Sequence, residues 1–190
     1  GIDKDIQSMA SAEIENKSLK EQIDNLEKQT TQDKKIIQEK VQKAEFSEDQ
    51  LKVALKQEIG QGLAEVEREK DRVVVTVGSA GAFNSGSAKL TRQARAIMQK
   101  IAKVSGKGAG QVNVSGHTDN VPLIFGGQYR DNWDLAAARA SSVVQELAKA
   151  NTIPPEKLQA ISFGETKPIE QNDTRDGREK NRRIEIEIKY

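Results

Sequence analysis

The spacing of apolar residues changes several times along the chain, and each change marks an element. Ile2, Met9, Asn16, Ile23, Thr30, Ile37, Ala44 and Leu51 recur every seven residues. Leu19 and Leu26 fill companion positions, whereas Asp5, Ala12 and Asp33 spoil others. No proline interrupts residues 1–66, which are rich in Glu, Lys, Gln and Ala, so the pattern predicts a long helix carrying a broken heptad. Two readings stand open there: a solvated helix with a shallow apolar stripe, or a self-associating coiled coil. From Leu51 the stripe shifts to Leu51, Leu55, Ile59, Leu63 and Val66, which predicts a helix packing on a globular body. Three regions follow: 1–50 as helical linker, 51–70 as a helix leading into the domain, and 71–190 as the domain itself.

Beyond Asp71 the periods alternate between those of strand and helix. Asp71–Val77 (DRVVVTV) suits a strand at least half covered on both faces, and Gly78–Ser87 a loop of small residues pinned by Phe83. Leu90, Ala94, Ile97, Met98 and Ile101 mark a helix, and Ser105–Gly110 (SGKGAG) is a glycine-rich connection. Gln111–Ser115 reads as a short strand, Asn132–Ala150 as a helix closed by Ile153-Pro154-Pro155, and Leu158–Phe163 as a strand. A polar loop to Arg183 has room for a helical turn, and Ile184–Lys189 (IEIEIK) alternates strictly. The order β-α-β-α-β-(α)-β predicts an α+β layer, a small mixed sheet with helices on one side.

Charge divides the chain the same way. Residues 1–70 hold twelve Lys/Arg and sixteen Asp/Glu, whereas 71–190 hold eighteen and thirteen. The basic surplus of the second part falls short of the dense stripe expected of a duplex-DNA binder, so nucleic acid is not an expected partner. The chain has no cysteine, which removes disulfides, thiolate metal sites and thiol nucleophiles, and its single histidine, His117, cannot build a multi-histidine metal site. No metal or cofactor is expected. No apolar run approaches the roughly 18 residues that a membrane span needs, so any membrane anchor or export signal is expected upstream.

Few residues suggest catalysis. Ser115, His117 and Asp119 are close in sequence, yet residues two apart on a strand are expected to share a face without meeting as nucleophile and base, and no strand-turn-helix nucleophile elbow is present. His117 is therefore expected to be structural, its ring hydrogen-bonding the loop. The Gly106–Gly110 run lacks the order of a phosphate-binding loop. More informative is Arg139, set among Ala136, Ala137, Ala138, Ala140, Val143 and Val144 on a helix that Asp131 or Asn132 caps. A cation in that setting needs a partner: Asp119 or Asp134 in a salt bridge, or a ligand. Leu135 and Arg139 stack one helical turn apart.

Thr118-Asp119, then Asn132-x-x-Leu135-x-x-x-Arg139-Ala140-x-x-Val143, then Gly164-Glu165 and Asn181-Arg182-Arg183-Ile184-Glu185 together resemble the OmpA-like peptidoglycan-binding domain over roughly residues 71–190. The resemblance implies that Asp119 and Arg139 hold the diaminopimelate of the peptide stem, the first accepting from its ammonium and the second clamping its carboxylate. Thr118, Asn132, Leu135 and Arg183 complete the expected site, and Arg182 is the alternative to Arg183. Ala136 stands where the family often has serine, and Asn120-Val121-Pro122-Leu123 where many members have glycine. That loop, with Tyr129 and Trp133, is similar to the flagellar stator B subunit branch (MotB or PomB type). Tyr129 and Trp133 read either as plugs of the loop or as sugar-stacking rings. The branch implies a non-catalytic, periplasmic wall anchor for motility, belonging to a homodimeric protein of the inner membrane that meets a stator A subunit and flagellar ring proteins. The other wall anchors with this domain are outer-membrane protein tails and secretion-system anchors, and a wall hydrolase is the enzymatic rival.

Overall fold

In a computed structural model, which describes residues 1–106 and 108–190, the chain divides into two compact units, Gly1–Glu39 and Lys40–Tyr190. Lys107, part of the glycine-rich run considered as a phosphate cradle, lies outside the described residues. The first unit is helical from Ile2 onward, part of α1 (Ile2–Ala54). Its heptad residues Ile2, Met9, Ile23 and Ile37 are exposed, as are Leu19 and Leu26.

In the second unit the last turns of α1 bury Ala44, Ser47 and Leu51. The expected helix over 51–70 does not continue. It ends at Ala54, a short α2 (Lys56–Gly60) follows, and Ala64–Glu69 is a strand, β1. The alternation in AEVERE buries Ala64 and Val66 and exposes Glu65 and Glu67, a period-two pattern that a helix could not satisfy. Gly62, at φ 73, turns the chain between the two, and β1 pairs residue for residue with β2 (Arg72–Gly78) across a two-residue hairpin.

Beyond β2 come α3 (Ser79–Ala82), a single turn inside the expected small-residue loop, and α4 (Arg92–Ser105). Then follow β3 (Gln111–His117), α5 (Asn132–Lys149), β4 (Leu158–Gly164), α6 (Arg175–Asn181) and β5 (Arg183–Lys189). The sheet order is β1-β2-β5-β3-β4, with β3 and β4 parallel and the other pairs antiparallel. This is the expected α+β mixed sheet with one strand more. Val73, Val75, Val77, Val112, Val114, Ile184, Ile186 and Ile188 point from one face into a core shared with Ile97, Met98 and Ile101 of α4 and Val143 and Leu147 of α5. The other face carries Arg72, Asn113 and Glu187, joined by hydrogen bonds.

Two details bring β3 and α5 together at the end that matters below. At Gly116 an added Cβ would lie 2.2 Å from the Ala136 carbonyl oxygen, so only glycine lets the helix backbone come this close. The β3–β4 register shifts between Gly116 and His117, and the Thr118 amide then donates to the Gly164 carbonyl (2.8 Å). The chain leaves the sheet there with Asp119 next.

Candidate functional site

The ends of β3, α5 and β5 converge on a cavity of about 630 Å³ in the second unit. Of the residues expected from sequence, Thr118, Asp119, Asn132, Leu135 and Arg139 all line it. Phe83 and Tyr129 add aromatic surface, and Val121–Ile124 of the loop after β3 form another part of the wall.

Asp119 is buried, and both of its carboxylate oxygens are engaged. Oδ1 accepts from the Val121 amide (3.0 Å), which folds the loop back on itself, and Oδ2 accepts from Arg182 Nη1 (2.5 Å). The Thr118 hydroxyl donates to the Asp119 carbonyl (2.8 Å). Asn132 Nδ2 donates to the carbonyls of Asp119 (3.3 Å) and Val121 (3.1 Å), tying the first turn of α5 to the loop. Asp131 is the N-cap, accepting from the Asp134 amide.

Arg139 is only 6% exposed. Its Nε donates to the Ser87 carbonyl (2.9 Å), and its guanidinium carbon lies 4.9 Å from the centre of the Phe83 ring. Burial pushes its pKa down; Tyr129 works against that, Arg182 adds to it, and Asp119 opposes it. Neither salt bridge considered for Arg139 forms. Asp119 is taken by Arg182, and Asp134 by Arg130 in a two-pronged pair (2.7 and 2.9 Å) that holds the Asp134 carboxyl down to about 2. Arg139 is thus a buried cation satisfied by a carbonyl and a ring face, with no carboxylate within salt-bridge distance among the described residues. Such a group is costly to bury and is well suited to an anionic ligand group.

Arg183 does not reach this cavity. It is 3% exposed and fully occupied elsewhere, with Nε on Glu185 (2.9 Å), Nη1 on the Asn181 carbonyl (3.0 Å) and Nη2 on the Lys167 carbonyl (3.0 Å). Successive residues entering a strand point to opposite faces, so only one of the two arginines can face Asp119, and it is Arg182. Sequence could name the pair but not the parity. Asn181, which the sequence offered only as part of the family pattern and not as a site residue, is completely buried. It bonds the amides of Ile169 and Glu170 and the Glu170 carbonyl, pinning the loop that precedes Arg182.

His117 is structural, but its partners are not those expected. Its Nε2 lies 3.0 Å from the Ser115 hydroxyl and 3.6 Å from Glu185, and its ring stacks on Phe163 at 5.3 Å. Serine and histidine two apart on the strand do meet, contrary to expectation: β3 stays regular against β5 here, and both side chains stand on the face that carries Glu185. The cluster is not a catalytic relay, since serine and carboxylate share one ring nitrogen while Nδ1 is buried without a partner among the described residues. The His117 ring first, and then the Arg183 guanidinium, outweigh burial and hold the Glu185 carboxyl down to about 2. Trp133 is half-exposed and lies against Gly164, where φ is +54 and an added Cβ would come 3.2 Å from the ring.

Comparison with known proteins fits this geometry. A family model described as the OmpA family matches residues 82–182. Motility protein B of Bacillus subtilis (strain 168) is 29% identical over 125 residues, covering 65% of this chain and 48% of that protein. Among solved structures, the cell wall anchor of the T6SS from Pseudomonas aeruginosa is 34% identical, with a TM-score of 0.67 over 73% of this chain and 96% of that one. The periplasmic domain of Helicobacter pylori MotB is 30% identical, with a TM-score of 0.59 over 66% of this chain and 87% of that one. The chain spans about half the length of the curated relatives it matches.

Proposed function

This chain belongs to the OmpA family, and from that premise we propose that its second unit is a non-catalytic anchor gripping the peptide stem of peptidoglycan in the cavity between Asp119 and Arg139. The observation that carries the reading is Arg139, a desolvated guanidinium without a carboxylate partner, facing the same cavity as the Asp119 carboxylate. The far end of diaminopimelate offers an ammonium and a carboxylate together. Asp119 accepts from the first and Arg139 forks onto the second, while Arg182 supplies a further cation. Thr118 and Asn132 act on the loop backbone rather than on the ligand, and Leu135 supplies apolar wall. Sedimentation of the full chain with purified sacculi tests this, together with assay of the supernatant. Binding without release of muropeptides is expected, and release would point to a hydrolase.

The finer reading is the periplasmic part of a flagellar stator B subunit, where wall attachment gives the motor a fixed point against which to work. Similarity to motility protein B and to the MotB periplasmic domain supports it. On this reading the heptad of α1 joins two copies in a coiled coil below an inner-membrane segment, with a stator A subunit and flagellar ring proteins as partners. A secretion-system anchor is the second reading, favoured by the 34% identity to the T6SS wall anchor. Loss of the gene would abolish swimming in the first case and secretion in the second.

A further inference from the structure

The loop after β3 has an apolar tip that the packing of the domain does not use. Ile124 is 88% exposed and Phe125 fully so, with Val121 half-exposed nearby. Single exposed apolar residues are common, but three together on one loop beside a cavity are not. The tip is also built. The Gly127 amide donates to the Ile124 carbonyl (3.3 Å), closing a four-residue turn, and Gly126 at φ +81 supplies the left-handed corner such a turn requires. That turn puts Phe125 at its outer corner, while Ile124, its neighbour, also lines the cavity.

We propose that Phe125 and Ile124 form a second subsite that stacks on the amino sugars of the glycan strand carrying the stem. This rests on the reading of the cavity as the stem site. A stem is covalently joined to its sugar, so a stem seated against Asp119 and Arg139 brings a sugar to the cavity mouth, of which Ile124 is a part. Pyranose rings present faces of C–H groups, and the negative face of an aromatic ring is their natural partner. Three side chains offer a few hundred Å² at most, well below the roughly 800 Å² per partner of a stable protein interface, so a second copy of the chain is the poorer occupant. Of the aromatic residues near the loop, Trp133 lies partly against Gly164 and Tyr129 lines the cavity wall, whereas the Phe125 ring is fully exposed.

Calorimetric titration of the full chain with two probes tests this: a soluble disaccharide muropeptide carrying a diaminopimelate stem, and the same stem peptide without sugars. The Phe125→Ala variant should bind the muropeptide about fivefold to tenfold more weakly, bind the free stem peptide as before, and recover with Phe125→Trp. Phe125 is fully exposed, so the variant should remain folded. Equal loss on both probes, or loss on neither, would overturn the sugar subsite. So would a change in oligomeric state with muropeptide binding intact, which would make the tip a contact between copies. If the unaltered chain binds the muropeptide through Phe125 but not the stem peptide, the cavity reading falls and the sugar subsite stands. If it binds neither, both fall.

Discussion

Arg182 donates to the Asp119 carboxylate at 2.5 Å, whereas its neighbour Arg183 turns to the opposite side and is spent on Glu185 and two carbonyls. Two adjacent arginines should therefore give opposite phenotypes. Arg182→Gln is expected to weaken binding to sacculi while leaving stability within about 1 kcal/mol, because the pair with Asp119 is a third exposed on the arginine side. Arg183→Gln should cost about 2–3 kcal/mol of stability by stranding buried carbonyls, with binding intact below the melting transition. Sedimentation and denaturant unfolding on both variants separate the two.

On the proposed reading of the cavity, Arg139 trades stability for binding. Replacing a buried guanidinium by an apolar side chain of similar length removes its desolvation cost, so Arg139→Met should raise the unfolding free energy by about 1 kcal/mol or more and abolish wall binding. Asp119→Ala should cost about 2–5 kcal/mol of binding, as when one partner of a buried charge pair is truncated. A melting temperature for Arg139→Met below that of the unaltered chain would contradict the first expectation. Undiminished sedimentation of either variant would contradict the site.

Gly116→Ala should be among the most damaging small substitutions. Its Cβ would sit 2.2 Å from the Ala136 carbonyl oxygen, forcing β3 and α5 apart and separating the elements that carry Asp119 and Arg139. A loss of about 2–4 kcal/mol is expected, read by chemical denaturation, with binding lost even in the remaining folded fraction.

Glu185 should govern part of the acid sensitivity. Its folded pKa of about 2 lies below the ordinary 4.5, so its contribution is complete above about pH 4.5 and disappears as the pH falls through about 2. Near pH 3 the unfolded chain holds this proton and the folded chain does not. Glu185→Gln should therefore flatten the stability curve between those limits, with about one proton fewer taken up on unfolding, measurable by denaturant titration at several pH values.

If the heptad of α1 joins two copies, cysteines placed singly at Ile23 or Ile37 should form disulfide-linked dimers under mild oxidation, because both occupy the seven-residue stripe and both are exposed. Cysteine at Gln32, off the stripe, should crosslink far less. Equal crosslinking at all three positions would argue against a defined seam. Asn16, Thr30 and Asp33 weaken that seam, so the linker could also switch between states to control wall access. On the stator reading, motors that turn normally with the linker locked in both states would exclude such a switch.

Local pattern carried much of this. The strict alternation of Ile184–Lys189, the apolar stripe of α4 and the cap at Asp131 each follow from the residues themselves, because period and capping are properties of a short segment. The same holds for placing Arg139 one turn beyond Leu135 and Asp119 just past a strand. The misreading of residues 64–69 arose where a helical stripe and a period-two pattern overlap on Val66, and pairing with β2 settled it. Which arginine meets Asp119, why His117 touches Ser115, and that Phe125 stands free while Trp133 lies on Gly164 depend on strand pairing, on strand parity and on backbones in close approach. Those are relations between segments tens of residues apart, and they exist only once the sheet and helices are packed. The chain's own order of residues thus states what kinds of groups the site holds, and the packed fold states which of them face one another.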